Sequence, residues 1–262
     1  MYSKLLCAQE MTVKQQNDPL KLLLQAAELI NVQVKLPVAL PPICQAFGVK
    51  VERSNTGSAR ALLLNARTKP RIVLNTRYAV NTALSPWERF LIAHELGHLL
   101  LHRYGITRPQ TPSQYWQTEA LCDAFARALL VPERLAVLPL CEEGAERVLE
   151  YFRIANDLRN IAHVDWATAV SRIADWDSRA LFLRLQKDHE GRYVVRFTTL
   201  PKRQELGRKP DAAATFFEKL DLRRPTGCDP VVKAAIPALE KGTAVAVRVH
   251  DSDIRIGSIL AA

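Results

Sequence analysis

One pentapeptide, His94-Glu95-Leu96-Gly97-His98, sits inside the most clearly signalled helix of this chain. Ser85-Pro86-Trp87-Glu88 supplies an N-cap serine, a proline at the first helical position and a glutamate three residues after the cap. That reciprocal pattern satisfies the orphan N–H groups of a helix start. The run WERFLIAHELGHLLLHRY then carries the helix to Gly105, a residue suited to a left-handed stop. On a helix, residues i and i+4 lie about 40° apart around the axis. Both imidazoles therefore point the same way and can converge on one metal ion. Phe90, Leu91, Leu96, Leu99 and Leu100 cover the other faces, which predicts a buried helix. Two buried histidines beside a glutamate are costly unless something binds there.

A catalytic zinc typically takes three protein ligands and keeps one open position. A second helix opens on the signal Thr111-Pro112-Ser113-Gln114 and runs to Val131, just before Pro132, so an αα-hairpin is expected. It carries Glu119, and one turn further Asp123 on the same face. Glu119 is the expected third ligand, and Asp123 the group that accepts a ligand imidazole's N–H and sets its tautomer. Two other donors compete for the third place. His102 is eight residues beyond His94, about 12 Å along a straight helix, which suits a structural role better. Cys122 is a soft donor beside Glu119, though a packed thiol is the simpler reading. Glu95 projects to a different side of the helix from the two histidines. It is placed to take a proton from an attacking water and return it to a leaving amine. Tyr104, Tyr115 and Arg127 are candidate oxyanion donors. The spacing His-Glu-x-x-His followed by Glu-x-x-x-Asp resembles the ligand layout of the gluzincin metallopeptidases.

The remainder of the chain is globular in texture. Of 262 residues, 48% are apolar and 24% charged, which excludes a disordered or collagen-like chain. No apolar run approaches the roughly 18–20 residues that cross a bilayer, and residues 1–19 lack the apolar core of a secretory signal. The expectation is a cytoplasmic protein that does not span a membrane. Five scattered cysteines, with no Cys-x-x-Cys pair, argue against a disulfide scaffold or a zinc knuckle. The net charge is +9, and residues 50–110 hold ten Lys/Arg against three Glu. Such a basic segment suits nucleic acid or an acidic protein, or is simply a solvated face.

Along the chain, residues 18–30 predict an amphipathic helix with Asp18 and Pro19 at its start, and Leu40 to Phe47 a short one ending at Gly48. Residues 49–54, 59–65 and 71–75 read as strands of a small sheet ahead of the motif helix. Residues 133–176 read as two or three helices. Beyond them, 180–186, 192–200, 243–250 and 253–260 read as strands, 201–211 as a polar loop and 213–220 as a helix. The expected fold class is α+β, with 177–262 a separate domain. His163, His189 and His250 stand alone and read as ordinary surface or core histidines.

RFLIAHELGHLLLH (89–102), followed by EALCDAFARALLVP (119–132), resembles the ImmA/IrrE family of metallopeptidase-like proteins. The upstream PRIVLN (70–75) is similar to the strand before that family's active-site helix. The resemblance implies a zincin-like peptidase domain, with His94, His98 and Glu119 as metal ligands and Glu95 as catalytic base. Asp123 stands where the family usually has Asn. Length and layout further resemble the IrrE (PprI) branch. That implies a peptidase-like domain at 1–132, a helix-turn-helix-like segment at 133–176 and a GAF-like sensor domain at 177–262. Such proteins cleave a helix-turn-helix (XRE-type) repressor and so release stress-response, DNA-repair or mobile-element genes. Zn²⁺ is the expected metal, with Mn²⁺ or Fe²⁺ able to occupy the same donors.

Two readings of other classes stand beside this one. The chain could be a DNA-binding or signalling regulator that keeps a peptidase scaffold without proteolysis, using the basic segment for weak DNA binding. Against this, the helical region 150–176 has balanced charge. It could also be a metal-binding protein without turnover, although such a site has no need of Glu95.

Overall fold

A computed structural model describes residues 18–32, 34–78, 83–106, 109–139, 145–177, 180–187, 193–199, 245–250 and 253–259. Among these the protein is α+β, with six α-helices and two small sheets. Its contacts fall into two units, residues 1–135 with 158–168, and residues 136–157 with 169–262.

In the first unit, α1 (Pro19–Asn31) starts where Asp18 accepts the backbone N–H of Leu20 and Lys21. It buries Leu22, Leu23, Ala26, Ala27 and Ile30. That spacing is the core-facing stripe of an amphipathic helix. The short α2 (Leu40–Ala46) carries two prolines in its first turn and stops at Gly48, whose φ of +65° needs a residue without a Cβ. Strands β1 (Lys50–Ser54), β2 (Ala61–Leu64) and β3 (Arg71–Asn75) form one sheet in the order β1-β3-β2. β1 runs parallel and β2 antiparallel to the central β3. Ile72, Val73 and Leu74 of β3 are buried, as a central strand requires.

β2 is an edge strand, and its register decides which backbone groups it leaves outward. Ala61 pairs with Leu74, Leu62 with Val73, Leu63 with Ile72, and the Asn75 N–H donates to the Arg60 carbonyl. In an antiparallel ladder, hydrogen-bonded and non-hydrogen-bonded pairs alternate. Arg60, Leu62 and Leu64 therefore turn their backbone groups toward β3, and Ala61 and Leu63 turn theirs off the sheet.

The motif helix is α3 (Pro86–Arg103), opened by the full capping box between Ser85 and Glu88. Arg53 of β1 donates to the Glu88 carboxylate at 2.9 Å, which ties the helix start to the sheet. Buried Arg89 donates to the carbonyls of Val38, Ala162 and His163. Helix α4 (Pro112–Leu130) starts where the Thr111 hydroxyl accepts the Gln114 N–H. It packs on α3 and α1, and Asn31 donates to its Ala128 carbonyl at 2.8 Å inside the core. The two capped helices and the three strands fall where the turn and cap signals put them.

The stretch after α4 resolves into a 3-10 turn (Glu133–Leu135) and two helices, α5 (Ala145–Ala162) and α6 (Trp166–Trp176). In the second unit, β4 (Ala180–Lys187), β5 (Tyr193–Thr198), β6 (Val245–His250) and β7 (Asp253–Ile259) form an antiparallel sheet in the order β5-β4-β7-β6. Arg147 and the Tyr151 hydroxyl of α5 both donate to the Asp177 carboxylate just past α6. The rings of Tyr151 and Phe152 meet Phe182 of β4 edge-on, each at 6.0 Å. The loop expected at 201–211, the helix expected at 213–220 and His189 lie outside the described residues, as does the side chain of His250. No helix of the described residues is long and apolar enough to cross a membrane.

Candidate metal centre

The approach of α3 to α4 has a local cause. A Cβ built on Gly97 would lie 3.1 Å from the Cys122 Cα and 3.2 Å from its Cβ. Glycine at 97 is what lets the two helices come this close. His94 and His98 sit on either side of it in α3, and Glu119 and Asp123 on either side of Cys122 in α4. Close packing at the middle of each quartet brings its flanking donors together.

His94 Nε2 is 3.1 Å from His98 Nε2 and 3.4 Å from Glu119 Oε2. His98 Nε2 is 3.3 Å from Glu119 Oε1. Ligand atoms about 2.0–2.1 Å from a tetrahedral ion lie about 3.3–3.4 Å from each other, so the three separations fit one face of such a tetrahedron. His94 Nδ1 lies 2.8 Å from Asp123 Oδ1. With its proton on Nδ1, directed at Asp123, His94 turns a lone pair toward Glu119. A cation reconciles two lone pairs at that distance. The residues present fit a divalent metal on two imidazoles and a carboxylate, and His94, His98 and Glu119 are the metal-competent cluster among the described residues.

Glu95 is buried at 9% exposure and accepts the backbone N–H of Leu63, one of the outward-turned groups of β2. Burial raises its carboxyl above the ordinary range, against the pull of His98 and His94. Sequence reasoning had no way to find Leu63, because the contact belongs to the backbone and depends on the strand register. Tyr115, one turn before Glu119, hydrogen-bonds to it, and the Glu119 charge raises the phenol. Tyr104 is six residues past His98 and Arg127 eight past Glu119, about 9 and 12 Å along their helices. Among the three candidate oxyanion donors, Tyr115 has a hydrogen bond to a candidate ligand, that to Glu119. Cys122 is fully buried against Gly97, and burial with the charges of Glu119, Glu95 and Asp123 pushes its thiol up. It is a packing residue. His102 stands outside the cluster and accepts a hydrogen bond from Arg67 Nε at 3.2 Å.

The same contacts set the protonation of metal-stripped protein. Burial opposes charge on His94, and the Asp123 and Glu119 carboxylates overcome it, raising the ring to about 9. Burial pushes the Glu119 carboxyl up, and His94 and His98 outweigh it, holding it well below the usual range. The raised His94 stabilises the fold below its unfolded value of 6.5, and that contribution is lost as pH rises through about 9. The depressed Glu119 stabilises above 4.5, and its contribution is lost as pH falls. Chelator-treated protein is therefore expected to gain most from this pair between pH 4.5 and 6.5. It should lose on the order of 1–3 kcal/mol toward pH 9. Urea unfolding across that range measures it, and a flat alkaline limb would contradict the His94 contacts.

Residues 44–154 match the family described as the IrrE N-terminal-like domain (Peptidase_M78). No curated protein matches. Among solved structures, one described as a Mycobacterium tuberculosis transcriptional regulator aligns with 90% of this chain and 74% of its own, at 14% identity and a TM-score of 0.46.

Proposed function

We propose, with residues 44–154 forming an IrrE N-terminal-like peptidase domain, that this chain is a site-specific metallo-endopeptidase acting on a helix-turn-helix (XRE-type) repressor. The observation that carries the reading is the meeting of His94, His98 and Glu119 donors within hydrogen-bonding reach of each other, with the buried carboxylate of Glu95 beside them. In this reading His94, His98 and Glu119 hold the metal. Zn²⁺ is the first choice for that donor set and Mn²⁺ or Fe²⁺ the alternatives; bound there, it would supply Lewis acidity to the scissile carbonyl and lower the pKa of the attacking water.

The chain's own residues do the rest. Glu95 accepts the proton of the attacking water and hands it to the leaving amine. Its raised proton affinity suits both halves of that transfer. The Leu63 N–H holds the carboxylate in place between turnovers. Asp123 accepts the hydrogen bond of the His94 Nδ1–H, holding the proton on Nδ1 and leaving Nε2 free to ligate. Tyr115 is the residue best placed to donate to the oxyanion. An extended substrate segment lies along the open edge of β2, pairing with the outward groups of Ala61. The zincin-like description applies to residues 1–132. The helix-turn-helix-like segment at 133–176 and a GAF-like sensor at 177–262 complete the reading, in a cytoplasmic protein whose cleavage releases stress-response, DNA-repair or mobile-element genes.

The basic segment gives a DNA-binding role less support than its composition suggests. Arg53 is spent on Glu88, Lys50 and Arg71 on Glu52, and Arg89 on buried carbonyls. The test is incubation with the helix-turn-helix repressor encoded beside this chain, with and without chelator, read by mass spectrometry. One cut that chelation abolishes is expected. An intact repressor, with DNA shifted by the chain alone and released steeply by salt, would replace the peptidase by the non-proteolytic regulator.

A further inference from the structure

The metal face of α3 extends well beyond the two histidines. Trp87, Phe90, His94, His98 and His102 all fall within about 60° of its mean direction, so Phe90, expected on the other faces, belongs to the metal face. Trp87 stacks on Phe90 at 5.9 Å, and Phe90 lies 6.3 Å from the His94 ring. These half-buried aromatics form a continuous platform leading from the metal centre to the helix start.

β2 and its flanks run beside this face in the same direction, as three contacts show. Arg60 lies over the Trp87 ring at 5.2 Å. The Leu63 N–H meets Glu95. Arg67 donates to His102 at 3.2 Å. The edge of β2 therefore stands against this helix face, and the two bound one groove that passes the metal donors; Leu62 and Leu64 of β2 are exposed at 38% and 37%.

Each end of the groove carries an arginine. Arg60 and Arg67 are exposed, and their described contacts are a π face and an imidazole nitrogen, neither of them a carboxylate. They differ in this from Arg53 and Arg71 of the same sheet, which face glutamates. The Trp87 face and the His102 nitrogen hold the two guanidiniums at the groove mouths, and among the described residues no carboxylate is seen against either charge. From Trp87 to His102 is 15 residues of helix, about 22 Å. An extended chain covers that distance in about seven residues.

We infer that the groove takes an extended protein segment with apolar residues at the metal centre and an acidic side chain at each end, about seven residues apart, read by Arg60 and Arg67. The inference rests on the peptidase reading for the placement of the scissile bond. It names the chemistry of the segment: acidic, apolar, acidic. A partner that is only apolar leaves both arginines unanswered. A partner that is only acidic leaves the aromatic platform in water.

The experiment uses the full chain as Glu95→Gln, which keeps the groove and is expected to turn over too slowly to consume peptide during the measurement, loaded with Zn²⁺. Fluorescent eleven-residue peptides share one apolar centre and carry Glu, Gln or Lys at the two flanking positions. Binding is read by anisotropy at low and at physiological salt. The Glu/Glu peptide is expected to bind at least tenfold more tightly than Gln/Gln, and Lys/Lys more weakly than either. Each of Arg60→Gln and Arg67→Gln should cost about fivefold, for the peptide with Glu at the matching end only. Arg77→Gln removes the same charge from the same basic segment outside the groove and serves as the comparison. Equal affinity for the three peptides overturns the inference, as does an equal loss with Arg77→Gln. Displacement of the Glu/Glu peptide by a single-stranded oligonucleotide at equal concentration also overturns it, in favour of a nucleic-acid groove. If the Glu/Glu peptide binds as expected and wild-type protein with Zn²⁺ never cuts it or the repressor, the peptidase reading fails and the specificity of the groove stands.

Discussion

Glu95→Gln is expected to lower the proposed cleavage of a repressor by about 10²–10⁴-fold while leaving metal content unchanged. The amide keeps the size of the carboxylate and an oxygen for the Leu63 N–H, so the local packing survives. What it loses is the capacity to accept a proton. None of the three convergent donor atoms belongs to Glu95, which places it outside the ligand set. Metal measured by atomic absorption and cleavage measured on the same preparation separate the two roles. A variant that cuts at the wild-type rate would remove Glu95 from the chemistry. A variant that also loses its metal would make Glu95 a ligand, in conflict with the site geometry.

Glu119→Ala is expected to act in the opposite order, on the metal first. It removes one of three donors and leaves two imidazoles 3.1 Å apart with no anion between them and the solvent. Metal affinity should fall by more than about a hundredfold, beyond what loss of a supporting group costs, with activity falling alongside it. At a metal concentration a hundred times the wild-type Kd, binding adds about 2.7 kcal/mol to stability. Most of that increment should vanish in the variant. Competition against a chromophoric chelator, with thermal melts with and without metal, gives both numbers. Wild-type affinity in Glu119→Ala would return the third ligand position to another donor.

The parts of this architecture visible in the amino-acid order are those determined by near neighbours along the chain. Ser85 with Glu88, Thr111 with Gln114, Asp18 with Pro19 and the stop at Gly105 are local signals, and each marks an element end in the structure. The pair His94 and His98 is local too, because i,i+4 geometry holds within any helix. Glu119 and Asp123 required one added step, that two capped helices with a short link pack side by side. The contacts that complete the site had no such signal. Ala61-Leu62-Leu63-Leu64 does not alternate, so nothing in it distinguishes the edge strand or the turn of the Leu63 N–H toward Glu95. His102 reads as a spare histidine until Arg67 is seen beside it. Trp87 lies seven residues before His94, on the same helical face. That spacing was a readable hint of a groove, once the helix was treated as a wall as well as a ligand carrier.

Gly97 meets Cys122 with no more than a hydrogen atom on its own side. The span between the imidazoles and the opposing carboxylate is thus inherited from the distance between two helix axes. A single added methyl at 97 would meet the Cys122 backbone and widen that distance. The donors behave as jaws of a clamp whose opening is set at the hinge pin, so tolerance for change is smallest at two residues that bind nothing themselves.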